Sequence, residues 1–253
     1  MKKFILFLMA VFLLFSVNAN AAPLIPAESA TAADLYEAVN LLLGTSYTGN
    51  SDIASRQTNI DEVWTNSTEW AYEPWAIIGL SAGYTNTLGI YTDIGTGADR
   101  TDIWTGSGFE LTGDGSSDNP FDGDKQTNIV TEGGNFGFYL NSNGQNLLYS
   151  ETSLNDSYPN PWANDYMTTY ALDEMIGQQI YTLDGSTKEQ WTVKGSAYLI
   201  GWEDVVGGGD GDFNDVMVFV SKIEPVPEPA TFLLLGAGLI GLAGIGRKRF
   251  GKK

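Results

Sequence analysis

GWEDVVGGGDGDFNDVMVFV, residues Gly201 to Val220, crowds five acids around three consecutive glycines and then runs apolar without a break. The acids are Glu203, Asp204, Asp210, Asp212 and Asp215. Ahead of them, Ser196-Ala-Tyr-Leu-Ile-Gly-Trp reads as a strand, and Val216-Met-Val-Phe-Val reads as its successor. Like charges so close repel one another, and glycine gives up more chain entropy on ordering than any other residue. Such a loop needs a reason. A metal-holding loop, a capped and solvated turn, and a catalytic carboxylate pair are the three candidates.

Working outward, the same strand-and-turn texture recurs. Trp75-Ala-Ile-Ile-Gly-Leu and Thr87-Leu-Gly-Ile-Tyr are apolar runs, and Phe136-Gly-Phe-Tyr-Leu meets Asn146-Leu-Leu-Tyr across Asn143-Gly144, a strong hairpin signal. Gln179-Ile-Tyr-Thr-Leu and Gln190-Trp-Thr-Val flank an Asp184-Gly185 turn. Short strands rich in Tyr, Trp, Thr and Val predict an all-β fold, an antiparallel β-sandwich of jelly-roll-like kind. One N-terminal helix precedes it: Leu35, Val39, Leu42 and Leu43 share a face, with Ser29 or Thr31 as cap and Gly44 as stop. Neither a fixed repeat nor a linker divides residues 22–224, which therefore read as one extracellular domain.

The two ends read as addresses. Lys2 and Lys3 precede an apolar run from Phe4 to Val17, followed by Ala19-Asn20-Ala21, a small-x-small site. This is the pattern of a secretory signal peptide over residues 1–21, with Ala19 and Ala21 marking cleavage. At the other end an apolar stretch, 230–246, is just long enough for a spanning helix, and Arg247-Lys248-Arg249 behind it would stay cytoplasmic. Body outside and tail in the membrane is the expected arrangement.

VPEPATFLLLGAGLIGLAGIGRKRF resembles a PEP-CTERM sorting tail over residues 225–253, with Pro227, Glu228 and Pro229 as its signature, then one apolar span and a basic end. The resemblance implies an exosortase partner, a membrane-anchored intermediate, and a final place at the cell surface or in the exopolysaccharide matrix of a Gram-negative bacterium.

Without its ends, the body keeps six basic residues against thirty acids, a balance of −24. Such a surface repels nucleic acid and anionic lipid and attracts divalent cations. The chain has no cysteine and no histidine. Serine–histidine and cysteine–histidine nucleophiles, His/Cys zinc sites and disulfides are thereby excluded. Any metal must be a hard cation held by oxygens, and calcium is the expected one.

Asp210, Asp212 and Asn214 alternate like the first half of an EF-hand loop, but the glycine and glutamate that the EF-hand then requires are Asp215 and Ser221 here. The reading is therefore an inter-strand calcium loop: Asp210, Asp212, Asn214 and Asp215 as primary ligands, Glu203 and Asp204 as secondary ones, and no catalytic residue. A second acidic loop, Gly113 to Asp124, is as well explained by a surface turn as by a cation. The stretch from Ala197 to Val216 also resembles the closing signature of a secreted bacterial domain family of unknown function. Ala82 to Tyr91 is similar to an earlier motif of that family. The resemblance implies that the acidic residues belong to the motif itself and supplies no activity.

The expected function is an exported, non-enzymatic, calcium-stabilised surface or matrix protein. Two alternatives remain beside it. One is a carbohydrate-binding module stacking sugars on Trp64, Trp70, Tyr72, Trp75, Tyr158, Trp162 and Tyr166. The other is a glycosidase or lyase using two of the carboxylates.

Overall fold

The computed structural model describes residues 25–29, 33–58, 60–66, 75–108, 111–122, 134–184 and 186–227. The signal peptide, Glu228, Pro229 and the 230–246 stretch lie outside them. Among the described residues no helix is long and apolar enough to cross a membrane.

The chain is mostly strand. In order come β1 (Gln57–Thr58), β2 (Trp64–Asn66), β3 (Ala76–Leu80), β4 (Ala82–Asp93), β5 (Ala98–Gly108), β6 (Phe121–Asp122) and β7 (Asn135–Ser142). Then follow β8 (Asn146–Tyr149), β9 (Met167–Ala171), β10 (Gln179–Asp184), β11 (Thr187–Thr192), β12 (Ala197–Trp202), β13 (Val216–Ser221) and β14 (Ile223–Pro225). One sheet has the order β1-β9-β12-β13-β3-β6-β10-β11; the other runs β14-β2-β7-β4-β5, with β8 beside β7. Every described pairing is antiparallel except β6 with β10.

The unbroken apolar runs at the chain's end have a structural cause. Side chains alternate across a strand, and on β12 and β13 both sets are covered. Tyr198, Ile200, Trp202, Val216, Val218 and Val220 join one apolar cluster with Leu88, Phe138 and Leu140 of the second sheet. Ala197, Leu199, Met217 and Phe219 join another cluster on the opposite face, with Leu35, Ala38 and Val39 of helix α1 (Leu35–Leu43). A strand buried on both faces has no polar side to show, so its sequence loses the alternation of a half-exposed strand.

The helix sits where its periodicity predicts, and Gly44 ends it in the left-handed region at φ 65°. Its cap differs from expectation. Asp34, not Ser29 or Thr31, is the N-cap, and its own backbone N–H donates to Glu37 Oε2 at 3.0 Å. This is the capping-box exchange, which satisfies a backbone donor that the first turn leaves orphaned. Ser29 takes part differently, donating its backbone N–H to the Asp34 carboxylate.

The β7–β8 hairpin forms as read, with Asn143 at φ 53° and Gly144 at φ 67°, both left-handed. The two sheets meet at Trp64, which is fully buried on β2. Its ring packs edge-on against Phe138 at 5.7 Å and against Tyr198 of the opposite sheet at 5.1 Å. Replacing Trp64 by alanine would leave a cavity between the two sheets. We expect a loss of about 3–5 kcal/mol in the unfolding free energy by denaturant titration.

Candidate functional site

Thirteen residues, 203–215, connect the adjacent strands β12 and β13. The Asp215 N–H donates to the Trp202 carbonyl at 3.1 Å, and the Glu203 N–H to the Tyr166 carbonyl at 3.0 Å, so the base of the loop is pinned. The Asp204 N–H donates to Asp215 Oδ2 at 2.8 Å across it. Farther up, the Gly211 N–H reaches back to Glu203 Oε2 at 2.9 Å. The loop thus curls over the Glu203 carboxylate.

Two glycines make the curl possible. Gly209 lies at φ 43°, and a Cβ there would fall 2.0 Å from Glu203 Oε1. Gly211, at φ 76°, would drive a Cβ to 2.3 Å from the Trp162 ring. Side-chain-bearing residues resist both the left-handed backbone and the contact. Phe213 accepts φ 56° because its ring is completely buried, edge-on to Trp162 at 5.2 Å.

The solvated-turn reading fails on burial. Glu203, Asp204, Asp212 and Asp215 are 0%, 2%, 3% and 8% exposed, and only Asp210 faces solvent. Two sets of carboxylate oxygens each lie within 4.8 Å of one another: Glu203 with Asp210 and Asp212, and Glu203 with Asp204 and Asp215. Glu203, read from the sequence as a secondary ligand, is common to both sets. Asn214 is completely buried, and neither its Oδ1 nor its Nδ2 has a hydrogen-bond partner.

Burial sets the charge state. Desolvation pushes Glu203 up to about 7, helped by Asp210 and opposed by the Gly211 N–H. Desolvation likewise lifts Asp212 to about 6, with the Asn214 backbone N–H opposing and Asp210 and Asp34 adding repulsion. Asp215 is raised furthest, by burial and then by Asp204 and Glu203. Asp204 is raised by burial, against the pull of Asn86 and Asp215. No lysine or arginine figures among these influences. Without a counter-ion, the cluster relieves its repulsion by holding protons.

Sequence reading missed one participant. Asn86 on β4, in the facing sheet, donates from Nδ2 to Asp204 Oδ2 at 2.7 Å. The only signal was its place in the Ala82–Tyr91 segment. It also missed Asp61 and Asp165, whose carboxyls are both raised, first by burial; repulsion from Asp165 then acts on Asp61 and from Glu62 on Asp165. The second acidic loop is a capped turn in its described part: Asp114 Oδ1 accepts the Ser116 N–H at 2.9 Å, and its carboxyl is held below its ordinary range by Ser116.

Of the aromatic residues read as a sugar-stacking surface, two are fully buried and Trp75, Tyr158 and Trp162 are partly buried. Trp64 and Tyr166 are fully buried, Trp162 packs on Phe213, and Trp75 packs against Phe138 at 5.2 Å. Trp70 and Tyr72 lie outside the described residues. Among the described residues Tyr84 is the large exposed aromatic, at 44%.

Two family matches bear on this chain. Residues 130–222 match a domain of unknown function (DUF4114), and residues 225–249 match the PEP-CTERM protein-sorting motif. The chain thus carries a DUF4114 domain directly ahead of a PEP-CTERM sorting motif. The motif is the exosortase recognition signal. It implies an exported protein that is anchored transiently in the membrane before processing. The DUF4114 match takes in the whole acidic loop, whereas Ala82–Tyr91 falls outside it. No curated protein and no solved structure matches the chain.

Two outcomes are expected. A Gly209→Ala change should destabilise the protein by about 1–2 kcal/mol or more, because the left-handed backbone and the Glu203 contact are both violated. In chelator, the folded protein binds more protons at these carboxyls than the unfolded chain. Stability should therefore fall as pH rises from about 4, where the unfolded carboxyls lose their protons, through the folded values near 6 and 7. Thermal melting across that window checks the sign.

Proposed function

We propose that the chain is an exported, non-enzymatic, calcium-stabilised β-sandwich, of jelly-roll-like kind over residues 22–224. Its PEP-CTERM tail delivers it to the cell surface or exopolysaccharide matrix. The observation that carries the calcium reading is the convergence of five carboxylates, four of them buried, with no basic partner among the influences on them. Buried carboxylates left ionised and unpaired are costly, and cations or protons are the two remedies. An exported protein near neutral pH meets a cation more readily than it retains several carboxyl protons.

The donor chemistry points the same way. Every side-chain donor is an oxygen, which suits a hard cation. Calcium takes six to eight oxygens at about 2.3–2.6 Å in forgiving geometry, whereas magnesium demands a near-ideal octahedron. Asp210, Asp212, Asn214, Asp215, Glu203 and Asp204 offer such oxygens from one loop, three carboxylates to a set. Its backbone carbonyls and water would make up the rest.

What favours a structural over a catalytic role is cover. A glycosidase or lyase needs its acid and base at the wall of a cleft, with a sugar between them. Here four of the five carboxylates are buried, Trp162 lies against Gly211 and Phe213 of the loop, and the Ala27 N–H of the N-terminal segment donates to the Gly211 carbonyl at 3.0 Å. An open groove of about 620 Å³ lies elsewhere, beside Arg56, Ile60 and Glu174.

The test is calcium titration of the full-length protein in detergent, by calorimetry and by melting with and without chelator. Calcium at a hundredfold excess over its dissociation constant should add about 2.7 kcal/mol of stability. Binding should release protons and strengthen between about pH 5 and pH 8, since calcium displaces them from the raised carboxyls. An Asp212→Ala variant should lose the calcium-dependent gain. Neither heat of binding nor chelator effect would end the calcium reading and leave the carboxyls protonated.

A further inference from the structure

Resting on that calcium reading, we infer that the loop holds two cations rather than one, bridged by the Glu203 carboxylate, and that Asn86 of the facing sheet completes the inner position. The carboxylates fall into two sets, and Glu203 alone belongs to both. Within each set the oxygens stand no more than 4.8 Å apart. Oxygens on opposite sides of one calcium ion are at most about 5 Å apart, so each set fits one coordination sphere. No single set within that distance takes in all five carboxylates. A carboxylate shared between two ions holds them about 3.5–4 Å apart, so neighbouring spheres with one common ligand are an ordinary dinuclear arrangement.

Each position also has a buried amide oxygen without a hydrogen-bond partner. Asn86 is completely buried, and its Nδ2 is held by Asp204 Oδ2 at 2.7 Å, while its Oδ1 has no partner. An amide anchored at one end on a carboxylate of the inner set carries its free oxygen beside that set. At the outer set, the Asn214 backbone N–H donates to Asp212 Oδ1 at 3.3 Å, and its buried side chain is wholly unsatisfied. Native interiors leave few such groups, and an unplaced ion is one of the standing explanations.

The inner position has a consequence that the outer one lacks. Asn86 belongs to β4 of the sheet ordered β14-β2-β7-β4-β5, whereas the loop belongs to the sheet containing β12 and β13. An ion bound by Glu203, Asp204, Asp215 and Asn86 would clasp the two sheets at one end. The outer ion, on Glu203, Asp210, Asp212 and Asn214, would fix only the loop.

Equilibrium dialysis of the full-length protein in detergent against calcium chloride, with metal analysis, counts the ions directly. Two calcium ions per chain are expected, falling to one in Asp210→Asn, to one in Asn86→Ala, and to none in Glu203→Gln. Asp210 is exposed, so Asp210→Asn should fold, and the wild-type count needs no variant. One ion in the wild type overturns the second position and leaves the calcium reading standing; no ion overturns both. A Glu203→Gln protein that keeps an ion overturns the bridge. Two ions at unchanged affinity in a folded Asn86→Ala protein remove Asn86 from the site.

Discussion

Burial of the β12–β13 hairpin on both faces is the constraint from which the rest of the molecule follows. Its inward side chains meet the second sheet around Trp64 and Phe138, and its outward ones meet helix α1. A ladder covered on both sides places its connecting loop at the edge of two cores at once. The loop cannot swing free, because Phe213 is locked into the helix-side cluster and Trp202 into the inter-sheet one. Carboxylates that would be harmless on a mobile turn are thereby carried out of water.

The cost of that burial shapes the electrostatics. Opposite charges would normally compensate buried acids, yet here each carboxyl is pushed mainly by desolvation and then by its acidic neighbours. Backbone N–H groups from Gly211 and Asp204 oppose the shift only in part. The arrangement is then maintained by packing, not by the charges themselves. Replacing such a cluster with well-packed apolar residues would often be neutral or stabilising, so its burial is a physical ground for the calcium proposal.

The junction with the sorting motif is equally tight. β14 pairs with β2, and the Val226 N–H donates to the Val63 carbonyl at 2.7 Å, so backbone hydrogen bonding persists to the residue before Pro227. Ordered body and sorting signal therefore abut. The DUF4114 match alone would also misplace the folding unit: β3 pairs with β13 and β4 with β7, each pair joining a strand before the matched residues to one within them.

The sequence by itself determined a mostly β chain with a helix over Leu35–Leu43, the Asn143-Gly144 hairpin, and the sorting tail, but not the short helix Asn50–Ile53. Each of these rests on local chemistry: apolar period, left-handed turn residues, or a contiguous motif. Strands without an apolar signature escaped it. β5 is an edge strand with Ile103 as its one buried hydrophobic residue, and β9 is built around Thr168 and Thr169, so neither announces itself. The acidic loop was visible as a cluster of charge, but whether its acids met water or one another was not. Only the tertiary structure decided that, by laying Trp162 over the glycines and bringing Asn86 from the other sheet. Proximity between residues 118 positions apart in the chain leaves no periodic trace in it.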